Sequence, residues 1–245
     1  MLVLVGIGLW DDKDLSLRAI EEAKNCQIIY LDSYTSRLFG ATKEQLEKAI
    51  GKQIQLADRA FIESGEILNY AASNKVCLLV GGDPLIATTH TDLLLRAKEK
   101  GIQTKIIHNT SIYSAIADTG LQMYKFGKSA TVAFWEDSFK PTSFYDTIID
   151  NKKRGLHTLL FLDLKADQDR YMTANEAMKI LLEIDGNKKM LSDIVVCCRM
   201  GSPTQLIKYG RIEELQKFDF GPPLHILIVP GRLHEMEEKF LSQFK

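Results

Sequence analysis

Apolar and polar positions along the chain fall into short blocks whose period changes almost from end to end. Compact apolar runs such as "VCLLV" and "IVVCC" alternate with stretches in which apolar residues recur every three or four positions, such as "LRAIEEAKNC". The first pattern fits buried strands and the second fits amphipathic helices. It predicts strands near residues 2–5, 27–32, 75–80, 103–108, 130–134, 158–163, 193–198 and 224–229. Between and after them it predicts helices near 14–25, 42–50, 59–73, 88–99, 111–119, 143–153, 173–184, 211–217 and 234–243. "TKEQ" marks one helix start, because Thr42 and Gln45 can satisfy each other's orphan amides as a capping box. Strands that alternate with helices imply a parallel or mostly parallel sheet with helices on its faces.

Glycine breaks at Gly120 and Gly127 suggest two α/β domains, 1–122 and 123–245, without a Pro/Ser-rich linker between them. With 245 residues and 45% hydrophobic content the chain can build a sizeable core. Its formal net charge of -1 gives no global attraction to nucleic acid or to an anionic membrane. The N-terminal "MLVLVGIGLW" lacks a basic flank, and no run approaches the ~20 apolar residues of a membrane span, so a cytoplasmic location is expected. Cys26, Cys77, Cys197 and Cys198 show no CxxC spacing and sit in apolar runs, as reduced core residues do.

Ligands of open α/β sheets collect outside the carboxyl ends of the strands. Those ends read "GIGLWDD", "GGDPLIATTH", "HNTSIYSA" and "LDLKA". Gly6-Ile7-Gly8 fails the dinucleotide fingerprint, since Asp11 stands where a third glycine is needed, and a tight turn alone would explain both glycines. "GGDP" says more: paired glycines let backbone approach a ligand, and Pro84 fixes the turn while restricting Asp83. A plain turn after a buried strand does not need that pair followed by "ATTH", so a binding loop is the better reading. The five histidines show no metal-ligand spacing, and no G-x-S-x-G elbow accompanies them. The residues alone thus predict an α/β enzyme with a nucleotide-like ligand at its strand ends.

Longer stretches narrow this. "GIGLWDDKDLSLRAIEEAKNCQIIYLDSYTS", "GGDPLIATTHTDLLLRAKEKGI", "IHNTSIYSAIADTGLQMYKFGKSATVAF", "GLHTLLFLDLKADQDRYMTANEA" and "PPLHILIVPGRLHEMEEKFL" resemble the diphthine synthase family over essentially the whole chain. The wider tetrapyrrole-methylase superfamily usually shows G-x-G-P-G-D in its first loop. This chain reads Gly6-Ile7-Gly8-Leu9-Trp10-Asp11, which weighs against a porphyrin-like substrate.

The resemblance implies two α/β domains of the tetrapyrrole-methylase type, an N-terminal mostly parallel sheet and a C-terminal mixed sheet, with the cofactor in the cleft between them. It implies a homodimer that uses S-adenosyl-L-methionine, releases S-adenosyl-L-homocysteine, and engages neither nucleic acid, membrane nor metal directly. The implied substrate is translation elongation factor 2, at a histidine bearing a 3-amino-3-carboxypropyl group whose amine is trimethylated to diphthine. Eukaryotic relatives, which add a methyl ester, carry extra sequence before the counterpart of "RYMTANEA"; the compact "LDLKADQDRYMTANEA" resembles the archaeal form. Carried over motif by motif, the donor contacts are Leu9, Asp83, Ile86, Ser111 and Ile112, then Leu162, Met200 and His225. Asp83 is the expected electrostatic partner of the cationic donor or substrate, and no catalytic base is assigned. "SYTSRLFG" and "YKFGKS" offer basic and aromatic residues suited to docking a protein, although both suit structural loops equally. Two other readings stay open: a methyltransferase of the same fold acting on a tetrapyrrole or other small molecule, and a nucleotide-binding module without chemistry.

Overall fold

The computed structural model describes residues 1–33, 38–165, 168–186 and 189–245, so residues 34–37 of "SYTSRLFG" lie outside the described residues. The chain forms two compact units, Met1–Ala115 and Ile116–Lys245.

In the first unit the elements run β1 (Leu2–Gly6), α1 (Leu17–Lys24), β2 (Ile28–Asp32), α2 (Lys43–Ile50), β3 (Gln55–Ala57), α3 (Arg59–Ser64), α4 (Glu66–Ser73), β4 (Val76–Val80), α5 (His90–Glu99), β5 (Thr104–Ile107) and α6 (Ile112–Ala115). The five strands lie in the order β3-β2-β4-β1-β5, and every neighbouring pair is parallel. A parallel sheet must be covered on both faces, which explains why β1 and β4 read as unbroken apolar runs, buried throughout. Alternate residues feed two cores: Val3, Val5, Cys77 and Leu79 pack with α1 and α2, and Leu2, Leu4, Leu78 and Val80 pack with α4 and α5.

Most sequence-derived elements appear with bounds shifted by a residue or two, and Thr42 and Gln45 form the expected capping box. The single helix expected over 59–73 is two helices, because Gly65 adopts the left-handed φ of 77° that closes α3. A Cβ at Gly65 would meet the Arg96 guanidinium at 2.7 Å, so the break is also a packing point.

The second unit runs β6 (Ala130–Val132), α7 (Ser143–Lys153), β7 (Thr158–Leu162), β8 (Leu164–Lys165), β9 (Arg170–Tyr171), α8 (Ala174–Asp185), β10 (Asp193–Cys198), β11 (Leu206–Arg211), α9 (Ile212–Leu215), β12 (His225–Val229) and α10 (Glu235–Leu241). Its main sheet is mixed, in the order β11-β10-β12-β7-β6; β6 and β7 are parallel and the other neighbours antiparallel. All four cysteines are buried, as their apolar surroundings predict.

A buried carboxylate fastens this unit together. Glu237 on α10 accepts hydrogen bonds from the Gln122 amide (2.9 Å) and the His234 amide (2.7 Å), pairs with the Lys125 ammonium, and accepts from His157 Nε2 at 3.0 Å. His157 in turn accepts the Gly231 amide at its Nδ1, 3.0 Å away. "YKFGKS" is therefore part of the framework: Lys125 is committed to Glu237, and a Cβ at Gly127 would meet Asn151 Oδ1 at 2.2 Å.

Burial alone would push the Glu237 carboxyl up, but Lys125, the two amides and His157 outweigh it and hold it at about 2. The unfolded carboxyl binds its proton near 4.5, so this stabilisation is complete above that value and is lost as pH falls through the window toward 2. Glu237→Gln should therefore lower the urea-unfolding free energy at neutral pH by about 3 kcal/mol, the cost of breaking a buried pair. The difference from wild type should shrink steadily as unfolding is repeated between about pH 5 and about pH 2.5.

Candidate functional site

β1, β4 and β5 run parallel, so the loops that follow them leave from one end of the first sheet. There the Ile7 amide donates to the Val80 carbonyl at 2.9 Å, and Gly8 and Gly82 exchange backbone hydrogen bonds of 3.3 and 2.7 Å. This contact explains Gly6: a Cβ would sit 2.6 Å from the Gly82 carbonyl oxygen and 2.9 Å from Asn109 Cβ.

Three side chains lock the loops together. Asn109 Nδ2 donates to the carbonyls of Gly6 and Asp14, each at 3.0 Å. Asp14 Oδ2 accepts the amides of Leu9 (3.0 Å) and Trp10 (2.7 Å), which shapes the first loop. Asp83, buried at the end of β4, accepts the Leu85 amide at Oδ1 (3.0 Å) and the Asn109 amide at Oδ2 (3.2 Å). The same Oδ2 lies 2.8 Å from Nδ1 of His108. The next turn is pinned as well: the Pro84 carbonyl accepts from Thr88 Oγ1 at 2.8 Å and from His90 Nδ1 at 3.0 Å. His90 Nε2 is 3.3 Å from Asp32 Oδ2 at the end of β2, and both side chains are buried.

Leu9, Asp83 and Ser111 thus stand on adjoining loops, with Ser111 Cα only 3.9 Å from where a Cβ on Gly82 would lie. Ile86 and Ile112 follow in the same segments and are half-buried, as is Leu9. Asp14, His108 and Asn109 were not singled out from sequence. The strand expected over 103–108 included His108, whereas β5 ends at Ile107, so that "HN" opens the loop beside "GGDP".

In the second unit Leu162, Met200 and His225 also share one sheet end. Cys198 at the end of β10 is the register partner of His225, and Leu160 of β7 is that of Leu227. Leu162 and Met200 therefore leave the sheet where His225 enters it. His225 accepts the first amide of α8, from Ala174, at Nδ1 (3.1 Å) and donates from Nε2 to the Pro222 carbonyl (2.9 Å). Burial is the main reason its pKa falls to about 4, and the neutral ring matches a nitrogen that accepts. Arg199 braces the neighbouring turn by donating to the carbonyls of Thr204, Phe220 and Pro222.

The tetrapyrrole (corrin/porphyrin) methylase family model matches residues 1–216. A diphthine synthase of Methanocella arvoryzae is 46% identical to this chain, covering 99% of it and 97% of the relative. The chain belongs to the diphthine synthase branch of the tetrapyrrole methylases. A Candida albicans diphthine methyl ester synthase is 43% identical, covering 100% of this chain but 89% of the relative. A crystal structure of diphthine synthase superposes with a TM-score of 0.90 at 37% identity, covering 100% of this chain and 96% of that one. The fold is thus the two-sheet α/β arrangement that the resemblance implied, with a parallel first sheet and a mixed second one.

The loop network makes one residue decisive. Asn109→Ala would leave the Gly6 and Asp14 carbonyls without their side-chain donor, at a cost of about 1–3 kcal/mol. It should lower thermal stability and weaken ligand binding to the first-unit loops, measurable by scanning and titration calorimetry on the same preparation.

Proposed function

We propose that this protein is an S-adenosylmethionine-dependent N-methyltransferase that trimethylates the amino group of 3-amino-3-carboxypropyl-histidine on translation elongation factor 2, forming diphthine in diphthamide biosynthesis. The observation that carries this reading is 46% identity with a diphthine synthase over 99% of the chain. Trimethylation without a further ester is favoured by length: the chain spans 97% of the archaeal relative and 89% of the yeast methyl ester synthase. In this reading it works in the cytoplasm as a homodimer.

The donor set suits S-adenosylmethionine. Half-buried Leu9, Ile86 and Ile112 offer apolar contact to a nucleoside and a methionine chain, and buried Ser111 adds a hydroxyl. Gly82, with φ of 69°, opens the backbone beside them, where a Cβ would come no nearer than 3.9 Å to its surroundings. Within the second unit Leu162 and Met200 are apolar, and both ring nitrogens of His225 are engaged by protein groups. When bound, the donor would supply an electrophilic sulfonium methyl group to the attacking nitrogen. The chain's own task is to orient the attacking nitrogen, a contribution of about 7–11 kcal/mol when geometry is near ideal. Asp83, with both oxygens used inside the loop network, serves as a fixed buried negative charge.

Mass spectrometry of archaeal elongation factor 2 carrying the aminocarboxypropyl histidine, incubated with this protein and S-adenosylmethionine, should show three methyl groups added at that residue. A fourth would place it with the ester-forming relatives. Donor binding with no gain on this acceptor but turnover of a tetrapyrrole would favour the small-molecule alternative. Donor binding without S-adenosylhomocysteine from any acceptor would favour a non-catalytic module.

A further inference from the structure

The geometry points to His108 as the general base that takes the proton from the acceptor amine before each methyl transfer, with Asp83 as the residue that positions it. The inference rests on the methyl-transfer reading above and names a group which that reading leaves unassigned. A primary alkyl amine is mostly ammonium near neutral pH, and its lone pair becomes available only when the proton leaves.

His108 stands just beyond β5, at the sheet end that carries Leu9, Asp83 and Ser111. Its Nδ1 is 2.8 Å from Asp83 Oδ2, and a carboxylate oxygen accepts, so Nδ1 holds the hydrogen and Nε2 the lone pair. The Asp83 side chain is 8% exposed whereas that of His108 is 67% exposed. The carboxylate end of the pair is therefore fixed, by the Leu85 and Asn109 amides, and the imidazole end is open.

The other histidines have a different character. His157 and His225 are buried and spend both ring nitrogens on protein groups. His90 is buried between the Pro84 carbonyl and Asp32, and His234 caps α10 through Nδ1. Among the described residues only His108 joins an orienting carboxylate to a ring exposed at the candidate site.

The proton balance closes. The ammonium N–H bond breaks, its electron pair stays on the amine nitrogen, and a new Nε2–H bond forms. The resulting imidazolium faces the Asp83 carboxylate, which stabilises it, and gives the proton to bulk water before the next cycle. Each of the three methylations needs one such removal, and the quaternary product has no proton to return.

Ring ¹⁵N NMR of the donor-free protein reads the tautomer directly. Neutral His108 should carry its proton on Nδ1, and Asp83→Asn should shift it toward Nε2; an Nε2–H tautomer in the wild type would overturn the assignment. In single-turnover assays His108→Ala should lower methylation by about 10²- to 10⁴-fold, with partial recovery on adding imidazole. Its S-adenosylmethionine affinity by calorimetry should stay within about twofold of wild type. An unchanged rate, or a loss matched by lost donor affinity, overturns the base while leaving the methyl-transfer reading intact. A wild-type protein that binds the donor and leaves this acceptor unmethylated overturns the reading and the base with it.

Discussion

A buried carboxylate stays charged only if donors surround it, and at the end of β4 that requirement organises the whole loop cluster. Asp83 draws an amide from its own turn, an amide from the segment after β5, and the His108 ring. Asn109, fixed by that contact, passes the constraint on to the carbonyls of Gly6 and Asp14. Asp14 then holds the amides of Leu9 and Trp10. Three loops distant in sequence become one rigid surface through a single charge and two relays. The glycines follow from this closeness, since the Gly8–Gly82 exchange leaves no room for a side chain at Gly6.

The two sheets reach a usable end by different means. In the first, parallel pairing alone sends the ends of β1, β4 and β5 to one side. In the second, antiparallel pairing brings the end of β10 beside the start of β12, so the loops there need other fasteners. A neutral histidine supplies one: His225 ties the start of α8 to the turn at Pro222. A charge there would oppose the Ala174 amide, which is the sense in which burial and the downward pKa shift agree.

The apolar runs made the central strands legible, because both faces of each are covered and period gives way to continuity. Short edge elements were not: β3, β11 and the β8–β9 ribbon went unread. β11 does alternate, with Ile207 and Tyr209 buried and Lys208 between them, but six residues leading straight into α9 offer little room for a period of two to declare itself. The helix expected over 59–73 runs through Gly65, which ends α3 instead, a distinction that depends on a left-handed φ. The site shows the same division. "GGDP" announced a loop by composition, whereas the roles of Asp14, His108 and Asn109 depend on β1 lying between β4 and β5, which local pattern does not encode.

Two of the three carboxylate–histidine pairs among the described residues show how exposure turns one motif into different devices. Glu237 and His157 are both buried, and Lys125 and backbone amides complete their hydrogen bonding, so no ring nitrogen is left for chemistry. That pair can only hold elements together. Asp83 is buried too, yet the side chain of its histidine, just beyond an edge strand, is 67% exposed. Burial of the acid fixes geometry in both cases; burial of the base decides whether that geometry is spent on the fold or is available to a substrate. β5 ends at Ile107, which leaves His108 on the loop where it meets Asp83. The position of a strand terminus is therefore part of the chemistry.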